Sequence, residues 1–538
     1  MSLNLSSHAR RTLNVSLLLA ALATALPQAG QAQVTAFKQA VAEQASQSDG
    51  IAAFYRTRNF EPIWTGPGAD HLARREALLE ALAMAEVHGL PASRYDADGL
   101  VSMMRSAQSS RDRGAVEVAL SRAFMAYAHD IQTGILTPAK VVSAIKREVP
   151  LRDPAATLTA LTTGDPRAVI RALAPKSQEY SRLVKEKLTL ERKLLQGGWG
   201  PVVKTTKLEP GQSGPDVVSL RNRLIAMGYM AHSAAATYDS EVRDAVMSFQ
   251  SDHGLLSDGI VGADTLGALN VGVEERLQSV LVAMERERWM NLPEGLGKRH
   301  VLVNLTDFTA KIIDDGKVTF ETRSVIGATG PDRETPEFSD VMEHMVVNPS
   351  WYVPRSIVVN EYLPLLRSNA GSVSHLEITD SRGRRVNRGQ GFSQYTASSF
   401  PFSMRQPPGP RNALGQVKFM FPNKYNIYLH DTPSKNLFDR EVRAYSHGCI
   451  RLNDPQDFAY ALLAVQTNDP QGLFQSRLRS GAESRINLET PVPVHLVYRT
   501  AFTSAKGRTS YRNDIYGRDA RIWSALSNAG VALPSQGS

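Results

Sequence analysis

The chain has 538 residues, of which 42% are hydrophobic and 21% charged, a composition typical of globular proteins with several domains. Its 61 lysines and arginines exceed its 53 acids to give a net charge of +8, without the clustered basic stripe of a nucleic-acid-binding protein. A single cysteine, Cys449, excludes an intrachain disulfide and a cysteine-rich zinc site. That thiol is therefore either a small buried residue or a reactive group.

The N-terminus has the pattern of an export signal. Arg10 and Arg11 precede the apolar run Leu13–Leu26, and the segment ends in small residues at Gly30–Ala32. The pattern predicts a cleaved signal peptide over 1–32. No later stretch is long and apolar enough to span a bilayer, so we expect no membrane span after cleavage.

The next part of the chain is predicted to be a helical scaffold domain over 33–206. Apolar residues recur at helical spacing in segments such as Glu76–Leu82 and Ala119–Tyr127. The run Gly197–Pro201 then breaks the pattern, and the polar turn residues that follow indicate a domain boundary.

A compact unit is predicted over 207–271. Val217, Leu220 and Leu224 lie at helical spacing, and Asp258–Gly262 precedes a further short helix. This series resembles the three-helix peptidoglycan-binding module, and binding to the cell wall is what that resemblance implies.

From Val301 onward the apolar residues alternate, with β-branched residues and turns between them. This pattern predicts a β-rich domain, which we place at 299–538. A segment rich in Gly, Pro and Ser at 355–411 is far longer than most connections and is expected to be a capping insertion.

The residues with the clearest chemical potential surround Cys449. A thiol attacks as its thiolate, and His430 is a suitable base because imidazole can accept the thiol proton and return it to a leaving amine. Gly448 leaves the backbone beside the nucleophile open, so that amide groups can face an oxyanion, and Arg451 can supply charge or bind a substrate carboxylate. A buried cysteine beside a structural histidine is the simpler alternative.

The order His430-Asp431-Thr432 and then Ser446-His447-Gly448-Cys449-Ile450-Arg451, with fifteen residues between His430 and Ser446, resembles the YkuD-type catalytic domain of L,D-transpeptidases. Segments Asn348–Pro354, Lys418–Asn423 and Asp514–Asp519 resemble its large periplasmic, YcbB-like branch. The fold class that follows is multidomain α+β, with a helical scaffold, a three-helix peptidoglycan-binding module and a β-rich YkuD-type catalytic domain with a capping insertion.

The resemblance implies a role for each residue of the motif. Cys449 is the nucleophile, His430 is the general base and acid, and Asp431 acts through its backbone carbonyl. The predicted oxyanion and substrate-binding group is Gly448, His447, Arg451, Ser446 and Tyr428.

The implied reaction is 3→3 peptidoglycan cross-linking. Cys449 attacks a tetrapeptide donor stem, releases D-Ala and passes the resulting thioester to the amine of an acceptor stem. The alternatives are L,D-carboxypeptidase action, attachment of a lipoprotein to peptidoglycan, and a non-catalytic wall-binding scaffold. We expect a periplasmic enzyme of cell-wall biogenesis, with other cell-wall synthases as candidate partners, no nucleic acid, and neither cofactor nor metal.

Overall fold

The computed structural model describes residues 35–330, 332–503 and 507–534, so the predicted signal peptide 1–32 lies outside the described residues. Helices form the first part of the chain because its apolar residues recur on one side of each segment and join in one core. They are α1 (35–45), α2 (Asp49–Thr57), α3 (Ala69–Ala83), α4 (Ala97–Ser106), α5 (Ser110–Thr133), α6 (Pro138–Val141), α7 (Pro154–Thr163), α8 (Pro166–Arg171) and α9 (Gln178–Leu195).

Three further helices form a small unit with a separate core. They are α10 (Pro215–Ala226), α11 (Ser240–Asp252) and α12 (Ala263–Asn270). Gly259 has a φ of 74° in the turn before α12, and its carbonyl accepts a hydrogen bond from the Tyr238 hydroxyl. The core of this unit includes Val203, so it extends a few residues N-terminal to the predicted boundary at 207.

Helix α13 (Val273–Trp289) connects this unit to the rest of the chain and was assigned to no predicted domain. It packs against α9, and Leu277, Met284 and Trp289 lie in the core of the helical region. The scaffold is therefore larger than the sequence indicated, because it includes a helix from beyond the small unit.

The strands of the C-terminal half are β1 (Arg299–Asn304), β2 (Thr309–Asp314), β3 (Lys317–Gly327), β4 (Phe338–Val347), β5 (Trp351–Tyr352), β6 (Glu377–Thr379), β7 (Ser403–Gln406), β8 (Val417–Met420), β9 (Leu429–His430), β10 (Ala444–Ser446), β11 (Ile450–Leu452), β12 (Ser484–Val497), β13 (Ala501–Thr503) and β14 (Thr509–Tyr511). Nine of them form a mixed sheet in the order β10-β3-β11-β9-β8-β4-β12-β1-β2. Strand β2 also pairs with β3, so the sheet closes on itself.

The capping insertion predicted at 355–411 is a folded subdomain rather than an irregular loop. It contains the antiparallel sheet β5-β7-β6, helix α14 (Arg355–Ile357), a wide helical turn at Val358–Tyr362, and α15 (Leu363–Ser368). Its own apolar core runs from Val353 to Met404. The subdomain begins at β5, slightly before the predicted start, because Trp351 pairs with Gln406.

Helices α16 (Pro455–Leu463) and α17 (Pro470–Arg479) pack on the closed sheet, whereas the end of the chain packs elsewhere. Strands β13 and β14 and helix α18 (Arg518–Asn528) contribute Ala501, Tyr511 and Ile522 to the helical core. The last part of the predicted range 299–538 thus completes the scaffold. Overall the structure confirms the predicted multidomain α+β class. Among the described helices, none has the length and apolar character needed to cross a bilayer.

Candidate active site

Two neighbouring parallel strands bring the predicted catalytic residues to one face of the sheet. In the register of β9 and β11, Leu429 lies beside Ile450 and His430 beside Arg451. Leu429 and Ile450 are buried in the sheet core. Because side chains alternate along a strand, His430 and Arg451 point to the opposite face, together with Cys449 and Tyr428, which precede the two strands.

The Cys449 thiol is half-buried and contacts the chain just before β9. Its Sγ lies 3.5 Å from the Asn426 carbonyl oxygen, and the hydroxyl and backbone N–H of Tyr428 donate hydrogen bonds to it. Burial raises the pKa of the Cys449 thiol to about 11, which outweighs the Tyr428 hydrogen bonds and the charges of Arg451 and Lys418. The resting nucleophile is therefore a neutral thiol.

His430 is buried and held by its neighbour's backbone. Its Nδ1 lies 2.5 Å from the Asp431 carbonyl oxygen, and because a carbonyl only accepts, Nδ1 carries the proton and Nε2 carries the free electron pair. Burial and the charge of Arg451 lower the pKa of the His430 imidazole to about 3. The Asp431 carbonyl thus lies on the imidazole of His430, and its part in catalysis stays a prediction.

The Asp431 carboxylate faces away from the base. Its Oδ2 accepts a hydrogen bond from the Gln416 amide at 2.9 Å, and its Oδ1 pairs with the Lys435 ammonium at 2.8 Å. Gly415 packs so closely that a Cβ there would overlap this carboxylate. The side chain therefore holds the 415–416 turn rather than the imidazole.

The nucleophile follows a tight turn that depends on Gly448, whose φ is 107°. The Gly448 N–H donates to Ser446 Oγ at 3.1 Å, and the Ser446 hydroxyl donates to the Cys449 carbonyl oxygen at 2.5 Å. The Gly448 carbonyl accepts a hydrogen bond of 2.7 Å from Thr335 Oγ1. The turn is thus held from two sides.

These bonds correct one sequence expectation. The Gly448 amide is already used by Ser446, so it is not available for an oxyanion. The Cys449 amide has no acceptor among the residues that the structure describes. It is therefore the backbone donor that remains at the nucleophile.

His447 points to the capping subdomain. Its Nε2 lies 2.6 Å from Glu361 Oε1, and its side chain is about one third exposed. Its role in shaping the pocket, rather than serving as a second base, stays a prediction.

Two cations share the face with the nucleophile. Arg451 has a buried Nε without a hydrogen-bond partner, and burial lowers the pKa of its guanidinium. Lys418 on β8 pairs with His430 across the sheet, and its ammonium lies 6.0 Å from the centre of the Tyr428 ring. Burial also lowers the pKa of Lys418. In the described ranges, no three histidine, cysteine or acidic side chains come together as a metal site.

Comparisons with protein families assign three parts of the chain. Residues 49–186 match the Scaffold domain, 213–269 match a family described as "Putative peptidoglycan binding domain", and 298–493 match the L,D-transpeptidase catalytic domain of the YkuD family. This part of the chain is thus similar to the YkuD family of L,D-transpeptidase catalytic domains. The recognition made from the sequence is confirmed, and the YcbB-like branch stays a prediction.

Known relatives agree with the assignment of the YkuD domain. A curated protein of Haemophilus influenzae, described as "Putative L,D-transpeptidase", is 30% identical over 247 residues, which are 45% of this chain and 48% of that protein. The match thus spans about half the length of that relative.

Two solved structures of L,D-transpeptidases are similar to part of this chain. L,D-transpeptidases from Xylanimonas cellulosilytica and Stackebrandtia nassauensis are each 15% identical, cover 55% of this chain, and are matched over 100% and 97% of their own chains. Their TM-scores are 0.18 and 0.22.

The sequence analysis missed two residues of the YkuD domain that lie close to the motif. Lys418 could have been found from the sequence. It alternates with the apolar Val417 and Phe419 on β8, a pattern that places its side chain on the face opposite the core. Glu361 could not, because it is 86 residues from His447 and reaches it only through the fold of the capping subdomain.

Proposed function

We propose that the protein is a cysteine-dependent L,D-transpeptidase that forms 3→3 peptidoglycan cross-links. The observation that carries the proposal is the pairing of β9 with β11, which sets Cys449 and His430 on one sheet face. The Asp431 carbonyl adds to it by fixing the imidazole tautomer in which Nε2 can accept a proton. A buried structural cysteine would need none of these arrangements.

Acylation begins from a neutral thiol and a neutral imidazole. As Sγ of Cys449 attacks the carbonyl of the third stem residue, His430 Nε2 takes the thiol proton. The C–S bond forms, and the Cys449 amide and Tyr428 hydroxyl are the donors nearest to the developing oxyanion. When the C–N bond to D-Ala breaks, the imidazolium gives its proton to the leaving amine and a thioester remains.

Arg451 and Lys418 provide the charge for binding the donor stem. A stem peptide ends in a carboxylate, and the unpartnered Nε of Arg451 is a buried donor that such a group would satisfy. The positive charges also stabilise negative charge on the substrate side of the sheet. We assign donor binding to these two side chains.

Transfer to an amine requires that water be kept from the thioester. The capping subdomain contacts the nucleophile segment through Glu361 and His447 and so covers one side of the site. Deletion of 355–411 is expected to shift the products from cross-linked dimers toward tripeptides. An unchanged ratio of transfer to hydrolysis would contradict this role.

The decisive experiment uses the purified chain from residue 33 and disaccharide tetrapeptides as donor and acceptor. Mass spectrometry is expected to detect D-Ala loss, 3→3 dimers and a carbapenem adduct on Cys449. The matched control is Cys449→Ser, which should give none of the three. Tripeptide without dimer would indicate a carboxypeptidase, whereas an unreactive Cys449 and unchanged muropeptides would indicate a wall-binding scaffold.

We also propose that the enzyme acts in the periplasm after removal of 1–32 and that peptidoglycan is its partner. The basis is the export pattern at the N-terminus and the match of 213–269 to the peptidoglycan-binding family. Cell fractionation tests the location, and co-sedimentation with purified cell walls tests the binding.

A further inference from the structure

Glu361 is a carboxylate of the capping subdomain that reaches the nucleophile segment. Its Oε1 lies 2.6 Å from His447 Nε2 and accepts a hydrogen bond of 2.9 Å from the Arg333 guanidinium. Both contacts use the same oxygen. Among the residues that the structure describes, none donates a hydrogen bond to Oε2, and the Glu361 side chain is about one third exposed.

The position of this acid is unusual for its subdomain. The segment 351–411 contains eight arginines but only three acids. The other two acids, Glu377 and Asp380, pair with arginines of the same subdomain. Glu361 is the one acid of this segment that the structure shows bonded to residues outside it.

Three separate parts of the fold fix the carboxylate. It is carried by the helical turn Val358–Tyr362, while His447 belongs to the nucleophile segment and Arg333 to the loop before β4. That loop lies against Gly448, since a Cβ on Gly448 would be 3.8 Å from the Arg333 carbonyl oxygen. These bonds use Oε1 and therefore hold the carboxylate at the border of the site with Oε2 open.

We propose that Glu361 Oε2 binds the ammonium group of the acceptor stem and so determines the preference for amine transfer over hydrolysis. This inference rests on the proposed transpeptidase function and adds the acceptor site to it. Arg451 and Lys418, whose charges act on Cys449, are cations and would repel an ammonium. A carboxylate is the complementary group, and its bond to an ammonium is charge-assisted.

Transfer of the thioester to the amine uses His430 and Cys449, which lie on this face. The bound ammonium loses one proton to solvent, and the amine then attacks the thioester carbonyl while His430 Nε2 takes a second proton from the attacking nitrogen. The C–N bond forms and the C–S bond breaks, so that Cys449 leaves as a thiolate. The thiolate takes its proton from the imidazolium, and the new amide nitrogen keeps the third. Glu361 orients the ammonium before the first of these steps.

Glu361→Gln is the sharpest test because the amide keeps an oxygen for His447 and Arg333 while removing the charge. We expect the ratio of dimer to tripeptide to fall about tenfold, the effect of one charge-assisted hydrogen bond. The rates of D-Ala release and of carbapenem adduct formation should not change. Glu361→Asp keeps the charge and should recover part of the dimer. Glu377→Gln is the matched control, because it removes an acid of the same subdomain from a different place.

A second acceptor separates binding of the ammonium from positioning of the cap. Hydroxylamine is a neutral nucleophile at neutral pH, and its transfer should be the same in wild type and Glu361→Gln. Equal losses for both acceptors, a parallel loss of acylation, or an unchanged dimer ratio would each overturn the inference. If the wild type releases no D-Ala and forms no adduct, the proposed function itself fails, which is a different result from an active enzyme that is indifferent to Glu361.

Discussion

The protonation state of the resting site leads to the most direct prediction. Burial holds the Cys449 thiol at a pKa of about 11 and the His430 imidazole at a pKa of about 3. Between these values both groups are neutral, so the free enzyme does not store a thiolate–imidazolium pair. Reaction of Cys449 with iodoacetamide should therefore rise with pH across the neutral range.

The expected size of the effect follows from the fraction of thiolate. At pH 8 a thiol of pKa 11 is ionised to about one part in a thousand, whereas a free cysteine of pKa 8.5 is ionised to about one quarter. Cys449 should consequently react about 200-fold more slowly than an ordinary exposed thiol. The rate should increase about tenfold per pH unit between pH 6 and 9, because each unit multiplies the small thiolate fraction by ten.

The assay is simple because the chain has one cysteine. Alkylation is followed by intact-mass spectrometry over this pH range. The control carries Cys449→Ser with Ser393→Cys, which moves the thiol to an exposed position of the capping subdomain. A rate for Cys449 that is level from pH 6 to 9 would refute the reasoning, since a preformed ion pair gives that plateau.

Four other substitutions test the surroundings of the site. His430→Ala should lower formation of the carbapenem adduct by at least about 100-fold, whereas Asp431→Ala, which removes the bonds of its carboxylate, should lower the melting temperature but keep adduct formation per folded molecule within about tenfold. Comparable losses of adduct would contradict the role of the Asp431 carbonyl. Gly448→Ala should destabilise the fold by about 1 to 3 kcal/mol, because its φ of 107° disfavours a side chain and the Cβ would lie 3.1 Å from Ile427, and an unchanged thermal melt would contradict this. Arg518→Met should lower stability by about 3 to 5 kcal/mol because it removes one of the two cations on the buried Glu337 and the cation paired with Glu334, which thermal melts compared with wild type can measure.

Strand alternation in the sequence predicted that Tyr428 shares a face with His430. The same alternation sets Cys449 with Arg451, and the register of β9 and β11 has both pairs on one face. The capture of the Gly448 amide by Ser446 is also local, since a serine hydroxyl readily bonds the backbone two residues later. The expectation of a free Gly448 amide overlooked that competition.

Local sequence patterns do not predict contacts between segments that are distant in the chain. Arg333 and His447 meet at Glu361 only after the capping subdomain has folded, and no periodicity links the three. The same holds for α18, whose apolar stripe would suit either the sheet or the helices. Ile522 packs in the helical core, which makes the chain's last helix part of the scaffold.

Buried ion pairs between the scaffold and the sheet connect helix α18 to the segment that holds the nucleophile turn. Glu337 at the start of β4 accepts hydrogen bonds from Arg286 of α13 and Arg518 of α18. Arg518 also donates to the carbonyl of Thr335, whose hydroxyl holds Gly448. A fragment limited to 298–493 would lack both arginines and would therefore lose the bond from Arg518 to the Thr335 carbonyl. The turn that presents the thiol is therefore set by helices outside the region that carries the catalytic motif.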